Sequence, residues 1–158
     1  MPKSRDGSLV EDLILSFTGE VSSEVAQKAV RAICRYYGGQ YIYIPAKKEK
    51  GRSAKNLRGI IADAVGDGEA EKILGKIMRL YGNISLYIPM EKKAFCKTIA
   101  LEIYERRRDD VTMNDLAREY GISFNSAYAL WKVGQREKIK STMPFLPFLE
   151  MVENTNPD

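Results

Sequence analysis

Histidine is absent from this sequence of 158 residues, and only two cysteines occur, Cys34 and Cys96. Structural zinc takes four ligands drawn from those two residue types, so no metal site is expected. Without imidazole, histidine-based acid–base and nucleophilic catalysis is excluded. There is also no glycine-rich phosphate loop, no spaced pair of catalytic acids and no nucleophile motif. Neither an enzyme nor a cofactor is therefore expected. No apolar run approaches the ~20 residues that cross a bilayer. The N-terminus leads into Glu11 and Asp12 rather than into the apolar stretch of a signal peptide, which points to the cytoplasm and away from membranes. Both cysteines sit among apolar helical neighbours and are expected to be small buried hydrophobes in a reducing compartment.

What is present is an ordinary globular balance, 44% hydrophobic and 29% charged, with a net charge of +4. That charge is a mild hint of an anionic partner and decides little alone. Internal similarity is more informative. Residues 33–48, ICRYYGGQYIYIPAKK, align without a gap on residues 77–92, IMRLYGNISLYIPMEK, at an offset of 44. Ile33, Arg35, Tyr37, Gly38, Tyr43, Ile44, Pro45 and Lys48 match Ile77, Arg79, Tyr81, Gly82, Tyr87, Ile88, Pro89 and Lys92. The chain contains a duplicated unit.

Each copy has the same grammar. A helix carries apolar residues at helical spacing, Val25, Ala29, Ile33 and Tyr36 in one copy and Ile73, Ile77 and Leu80 in the other. Gly38-Gly39 or Gly82 follows, where a left-handed residue would end the helix. A short strand comes next, Gln40 to Ile44 or Ile84 to Ile88, closed by Pro45 or Pro89. A lone strand leaves its backbone groups unpaired. The two strands either pair with each other or pair across two subunits, and the residues do not choose. Further helical stripes run through Val10, Leu13, Ile14 and Phe17; through Leu57, Ile60, Ile61 and Ala64, ended by Gly66-Asp67-Gly68; and through Phe95, Ile99, Leu101 and Ile103.

Residues 111–137 carry the strongest functional signal. Thr112 with Asp115 begins a helix in the manner of a capping box. Leu116, Ala117 and Tyr120 form its inner face, Gly121 permits a sharp turn, and Ile122 plugs the corner. Ser123 caps a second helix whose Ala127 and Leu130 face back toward the first. This is a helix-turn-helix pattern. Its outer face offers Ser123, Asn125, Ser126, Tyr128 and Ala129 to base edges in a major groove. Lys132, Arg136, Lys138 and Lys140 follow as phosphate contacts. A second basic run, Lys47, Lys48, Lys50, Arg52, Lys55 and Arg58, follows the first strand; Lys47 and Lys48 are candidate phosphate contacts there. Arg106, Arg107 and Arg108 precede Asp109 and Asp110, whose charges are expected to cancel theirs at a solvated helix end.

A helix leading into GGQYIYIP, then helices, then AREYGISFNSAY resembles the Mor/C transcription activator family of Mu-like phages. The resemblance spans residues 68–137 continuously, with a partial match over 21–48. It implies a mainly α protein with short strands, a helix-strand dimerisation unit and a C-terminal helix-turn-helix; the family's usual chain has one such unit, and its duplication here is a departure from that pattern. It further implies double-stranded DNA as partner, a homodimer, and activation of phage promoters with host RNA polymerase. It also implies that the ribbon approaches the DNA backbone or minor groove, through Gly38, Gly39, Gln40 and Tyr43 in one copy and Gly82 and Tyr87 in the other, with Pro45 and Pro89 as further residues of the dimer ribbon.

The expected organisation is an N-terminal helix over 1–20, a first repeat with a basic helix over 21–66 and a second repeat with a linking helix over 67–110. The helix-turn-helix follows over 111–140, then a tail over 141–158. The competing reading is an oligomerisation or adaptor protein whose helix-turn-helix no longer reads DNA. Its apolar tail, around Pro144, Phe145, Leu146, Pro147, Phe148, Leu149 and Met151, would dock a protein or fold back on the core.

Overall fold

A computed structural model describes residues 6–46 and 51–142. Lys47, Lys48, Lys50 and the tail from residue 143 lie outside these described residues. The chain divides into two compact units, Met1–Phe95 and Cys96–Asp158. The expected linking helix falls in the C-terminal unit, where its buried face packs on the last helix.

In the N-terminal unit the order is α1 (Asp6–Phe17), α2 (Ser23–Tyr37), β1 (Gln40–Ile44), α3 (Arg52–Val65), α4 (Asp67–Tyr81), β2 (Ile84–Ile88) and the single turn α5 (Glu91–Ala94). The strands pair with each other, antiparallel, within one chain. The offset of 44 carries α2 onto α4 and β1 onto β2 end for end. The buried positions correspond too: Ala26, Ala29, Val30, Ile33 and Cys34 in α2, and Ala70, Ile73, Leu74, Ile77 and Met78 in α4. Tyr36 and Leu80, expected in this stripe, are exposed, since each falls just past the edge of its helix's buried face. Ala64, expected in the α3 stripe, is also exposed, while Ala54, Leu57 and Ile61 form that helix's buried face.

The helix exits also differ from expectation. Gly38 and Gly82 are not left-handed; their φ values are −53° and −57°. The left-handed residues come one position later, Gly39 at +82° and Asn83 at +66°. Glycine and asparagine are the residues that tolerate this region best, which explains why the copies differ there. Gly38 and Gly82 are glycines for lack of space. A Cβ on Gly38 would lie 2.4 Å from the Cys34 carbonyl oxygen and 2.9 Å from Met90 Cα. On Gly82 it would lie 2.5 Å from the Met78 carbonyl oxygen and 3.1 Å from Ala46 Cα.

Ion pairs break the likeness of the copies. Glu91 of α5 accepts from Arg31 Nε at 2.8 Å and from Arg35 Nη2 at 3.0 Å. Burial alone would raise the Glu91 carboxyl, but the Arg35 and Arg31 hydrogen bonds outweigh it and hold the group below the ordinary carboxylate range. Arg79, the counterpart of Arg35, instead donates to Glu20 at 2.5 Å. Arg58 of the basic run pairs with Glu71 at 2.5 Å. Cys34 is buried, and burial, with Glu91 adding, pushes its thiol up to about 12. Cys96 corrects the sequence expectation: it is exposed, because the neighbouring Phe95 takes the core position.

Candidate nucleic-acid interface

The C-terminal unit consists, among the described residues, of α6 (Cys96–Arg108), α7 (Met113–Glu119) and α8 (Phe124–Thr142). Its foundation is a close approach of α6 and α8. A Cβ on Gly134 of α8 would lie 2.1 Å from the Ala100 carbonyl oxygen and 2.8 Å from Tyr104 Cβ, so only glycine fits there. Ile99, Ala100 and Ile103 of α6 fill the seam with Leu116, Ala117 and Ala127, each under a tenth exposed.

The turn between α7 and α8 forms as its residues require. Thr112 Oγ1 accepts from the Asp115 amide at 3.2 Å and donates to the Asp115 carboxylate at 2.7 Å. Gly121 has φ +61°, and the Ile122 amide donates back to the Ala117 carbonyl at 3.0 Å. Ser123 caps α8: its Oγ accepts from the Ser126 amide at 3.1 Å and donates to Ser126 Oγ at 2.9 Å. An ion pair outside the motif braces α7. Arg106 of α6 makes a two-pronged hydrogen bond to the Glu119 carboxylate, which lies below its ordinary range for that reason. This revises the expected solvated helix end. Arg107 donates to the Val111 carbonyl at 3.4 Å and Arg108 pairs with Glu105 at 3.6 Å, so Asp109 and Asp110 are not the partners in these contacts. Tyr120, half-buried, donates to Glu102 at 2.9 Å.

At 3.6 residues per turn, Asn125, Tyr128, Ala129, Lys132, Arg136 and Lys140 fall on one side of α8, opposite Ala127 and Gly134. All six are exposed. Lys132 Nζ rests 4.9 Å from the centre of the Tyr128 ring, which in turn lies 5.7 Å from the Trp131 ring. The only carboxylate of α8, Glu137, lies on the other side. Lys138 lies there as well: Nζ binds Glu105 of α6 at 2.8 Å, and this hydrogen bond draws the Glu105 carboxyl down. The lysine expected to contact phosphate is thus directed at its own scaffold. Ser123 and Ser126 are exposed, but their hydroxyls are engaged with each other in the cap. Sequence reasoning missed Phe124, half exposed at the first turn of α8, and Gly134. Only the helical phase anchored by Ala127 would have marked the first. The second carried no signal.

The ribbon residues separate into two groups. Tyr41 pairs across the strands with Tyr87, ring centres 5.3 Å apart, and Tyr43 with Ser85; these side chains share the exposed face. Tyr43 donates to the Asn83 side chain at 3.0 Å. Gln40 and Gly39 are also exposed. Gly38, Gly82 and Pro89 are packed against neighbouring backbone or core, and Pro45 is half-buried, so these four act in shaping the ribbon.

The model of the Mor transcription activator family matches residues 50–146. That is more than half of the chain, and it takes in α3, α4, the second strand and all of the helix-turn-helix. The chain belongs to the Mor transcription activator family. No curated protein and no solved structure matches it. As a Mor-family protein it is a transcription regulator, mainly α with a two-stranded antiparallel ribbon. Among the described residues no helix is long and apolar enough to cross a membrane. The first 49 residues, with the whole first copy of the unit, precede the family match.

Proposed function

We propose that α8 enters the major groove of double-stranded DNA and that this Mor-family chain is a sequence-specific activator of phage or prophage promoters, working in the cytoplasm with host RNA polymerase. One observation carries the reading: the face of α8 turned away from α6 presents uncharged Asn125 and Ala129 over its first half and the cations Lys132, Arg136 and Lys140 beyond them, with the helix's only carboxylate on the other side. Asn125 and Ala129 are the base readers there, with Tyr128 and Phe124 as flanking apolar surface. A bidentate amide–adenine contact discriminates by about 1–3 kcal/mol. Lys132, Arg136 and Lys140 supply phosphate contacts, which orient without reading. Lys138 is left out of this set because Glu105 holds it.

Fluorescence anisotropy on a duplex from the protein's own genomic neighbourhood, against a scrambled duplex over a salt series, tests the reading. Lys132→Ala should weaken both complexes alike and lower the salt slope by about one. Asn125→Ala should instead erode the preference between the two duplexes. Equal losses on both from both variants would overturn the roles. Absence of binding to either duplex at low salt would favour the adaptor reading.

A further inference from the structure

The ribbon of the N-terminal unit has the internal symmetry of a dimer. Ile42 faces Leu86, its own counterpart 44 residues on. Every other pair is exchanged by the same offset: Gln40 faces Ile88 while Ile84 faces Ile44, and Tyr41 faces Tyr87 while Ser85 faces Tyr43. The contacts at the ends are reciprocal as well. The Gly39 amide donates to the Ile88 carbonyl at 2.8 Å, and the Asn83 amide to the Ile44 carbonyl at 2.7 Å. Gly38 abuts Met90 and Gly82 abuts Ala46, again residues 44 apart. A register in which each strand meets its own copy, with the ribbon contacts returned, is the mark of an isologous twofold interface. Here both halves come from one chain.

The helices repeat the relation in part. α1 packs on α2, and α3 packs on α4, although α2 packs more closely on α3 than α1 does on α4. The family match begins at residue 50, just before α3, so helix, helix, strand and reading head form one complete family unit. Residues 6–46 are a second helix–helix–strand without a head of their own. After β1 the chain enters α3, which is the first helix of the next copy.

We propose that each chain is a one-headed pseudo-dimer. Residues 6–46 supply in cis the half-ribbon that a second subunit would otherwise bring, and one chain engages one asymmetric half-site on DNA. The homodimer expected from a palindromic operator is then unnecessary, because the twofold partner is already covalently attached. The half-site clause rests on the DNA-binding reading above, whereas the assembly clause does not.

Two measurements on the full chain test the proposal separately. Sedimentation equilibrium of the free protein should give the mass of one chain, 17.9 kDa, across the concentration range. Selection of duplexes from a randomised library should return an asymmetric motif, bound one chain to one duplex. Placing a second inverted copy of that motif on the duplex should tighten binding by only about twofold, against a hundredfold or more if two linked heads engaged together. A stable dimer mass overturns the proposal, since the half-ribbons would then be exchanged between chains or the ribbons joined edge to edge. An inverted-repeat motif bound two chains to one overturns it as well. A single-chain mass with no duplex selected upholds the pseudo-dimer and removes the DNA-binding reading with its half-site.

Discussion

The two copies of the helix-strand unit bury the same five helical positions and form strands of the same length, yet they end differently. β1 runs on toward α3, while β2 runs into α5 and then the helix-turn-helix. What they keep in common is what the ribbon demands: a glycine where backbone passes backbone, a left-handed residue after it, and a proline beyond the strand. What they do not share is the partner of the arginine they keep, Glu91 for Arg35 and Glu20 for Arg79. A duplicated unit is held to its ancestor by steric constraint and by little else.

The comparison is sharpened by substitution at positions where the copies agree or differ. The largest effect is expected outside the ribbon, at Gly134, where no counterpart exists. Gly134→Ala drives a methyl into the Ala100 carbonyl and should destabilise the C-terminal unit by about 3 kcal/mol. Trp131 is the only tryptophan, so urea titration followed by its fluorescence reports that unit directly. An unchanged midpoint would show that α6 and α8 do not approach so closely.

Gly38→Ala and Gly82→Ala should each destabilise the ribbon unit, by about 2 kcal/mol and by nearly the same amount. Urea titration followed by circular dichroism gives the comparison. A large loss at one site and none at the other would break the pseudo-twofold relation. A smaller asymmetry is expected one residue on. Gly39→Ala forces a side chain into the left-handed region and should cost about 1 kcal/mol. Asn83→Gly should cost less, since glycine accepts the same φ and only the Tyr43 hydrogen bond is lost.

The smallest effect separates the copies by charge. The folded-state carboxyl of Glu91 is depressed, so its stabilisation is complete above the ordinary value of 4.5 and is lost as pH falls through the lower folded value. Glu91→Gln should therefore reduce stability at neutral pH and flatten the decline on acidification. Parallel acid-denaturation curves for the two proteins would show that the Arg31 and Arg35 contacts contribute nothing.

Much of this molecule was legible before any coordinates. Both strands run over the residues that β-branched and aromatic patterning marked, and Pro45 and Pro89 stop them, because local propensity and a missing amide act within a few residues. The turn at Gly121 and the caps at Thr112 and Ser123 were readable for the same reason. The phase of α8 also follows from its own sequence, so Asn125, Lys132 and Arg136 could be placed together.

Other features depend on residues far apart in the chain. That Gly82 answers to Ala46 while Asn83 takes the positive φ, that Lys138 turns to Glu105, and that Cys96 lies outside the core are decided by neighbours which local pattern does not name. So is the allegiance of α6 to the helix-turn-helix, which rests on the fit of Gly134 against Ala100. The sequence by itself determined the elements, the repeat and the family, since these are written in spacing and local conformational preference. Only the tertiary structure decided that the two half-ribbons meet within one chain, because strand pairing satisfies backbone hydrogen bonds equally well within a chain or between chains.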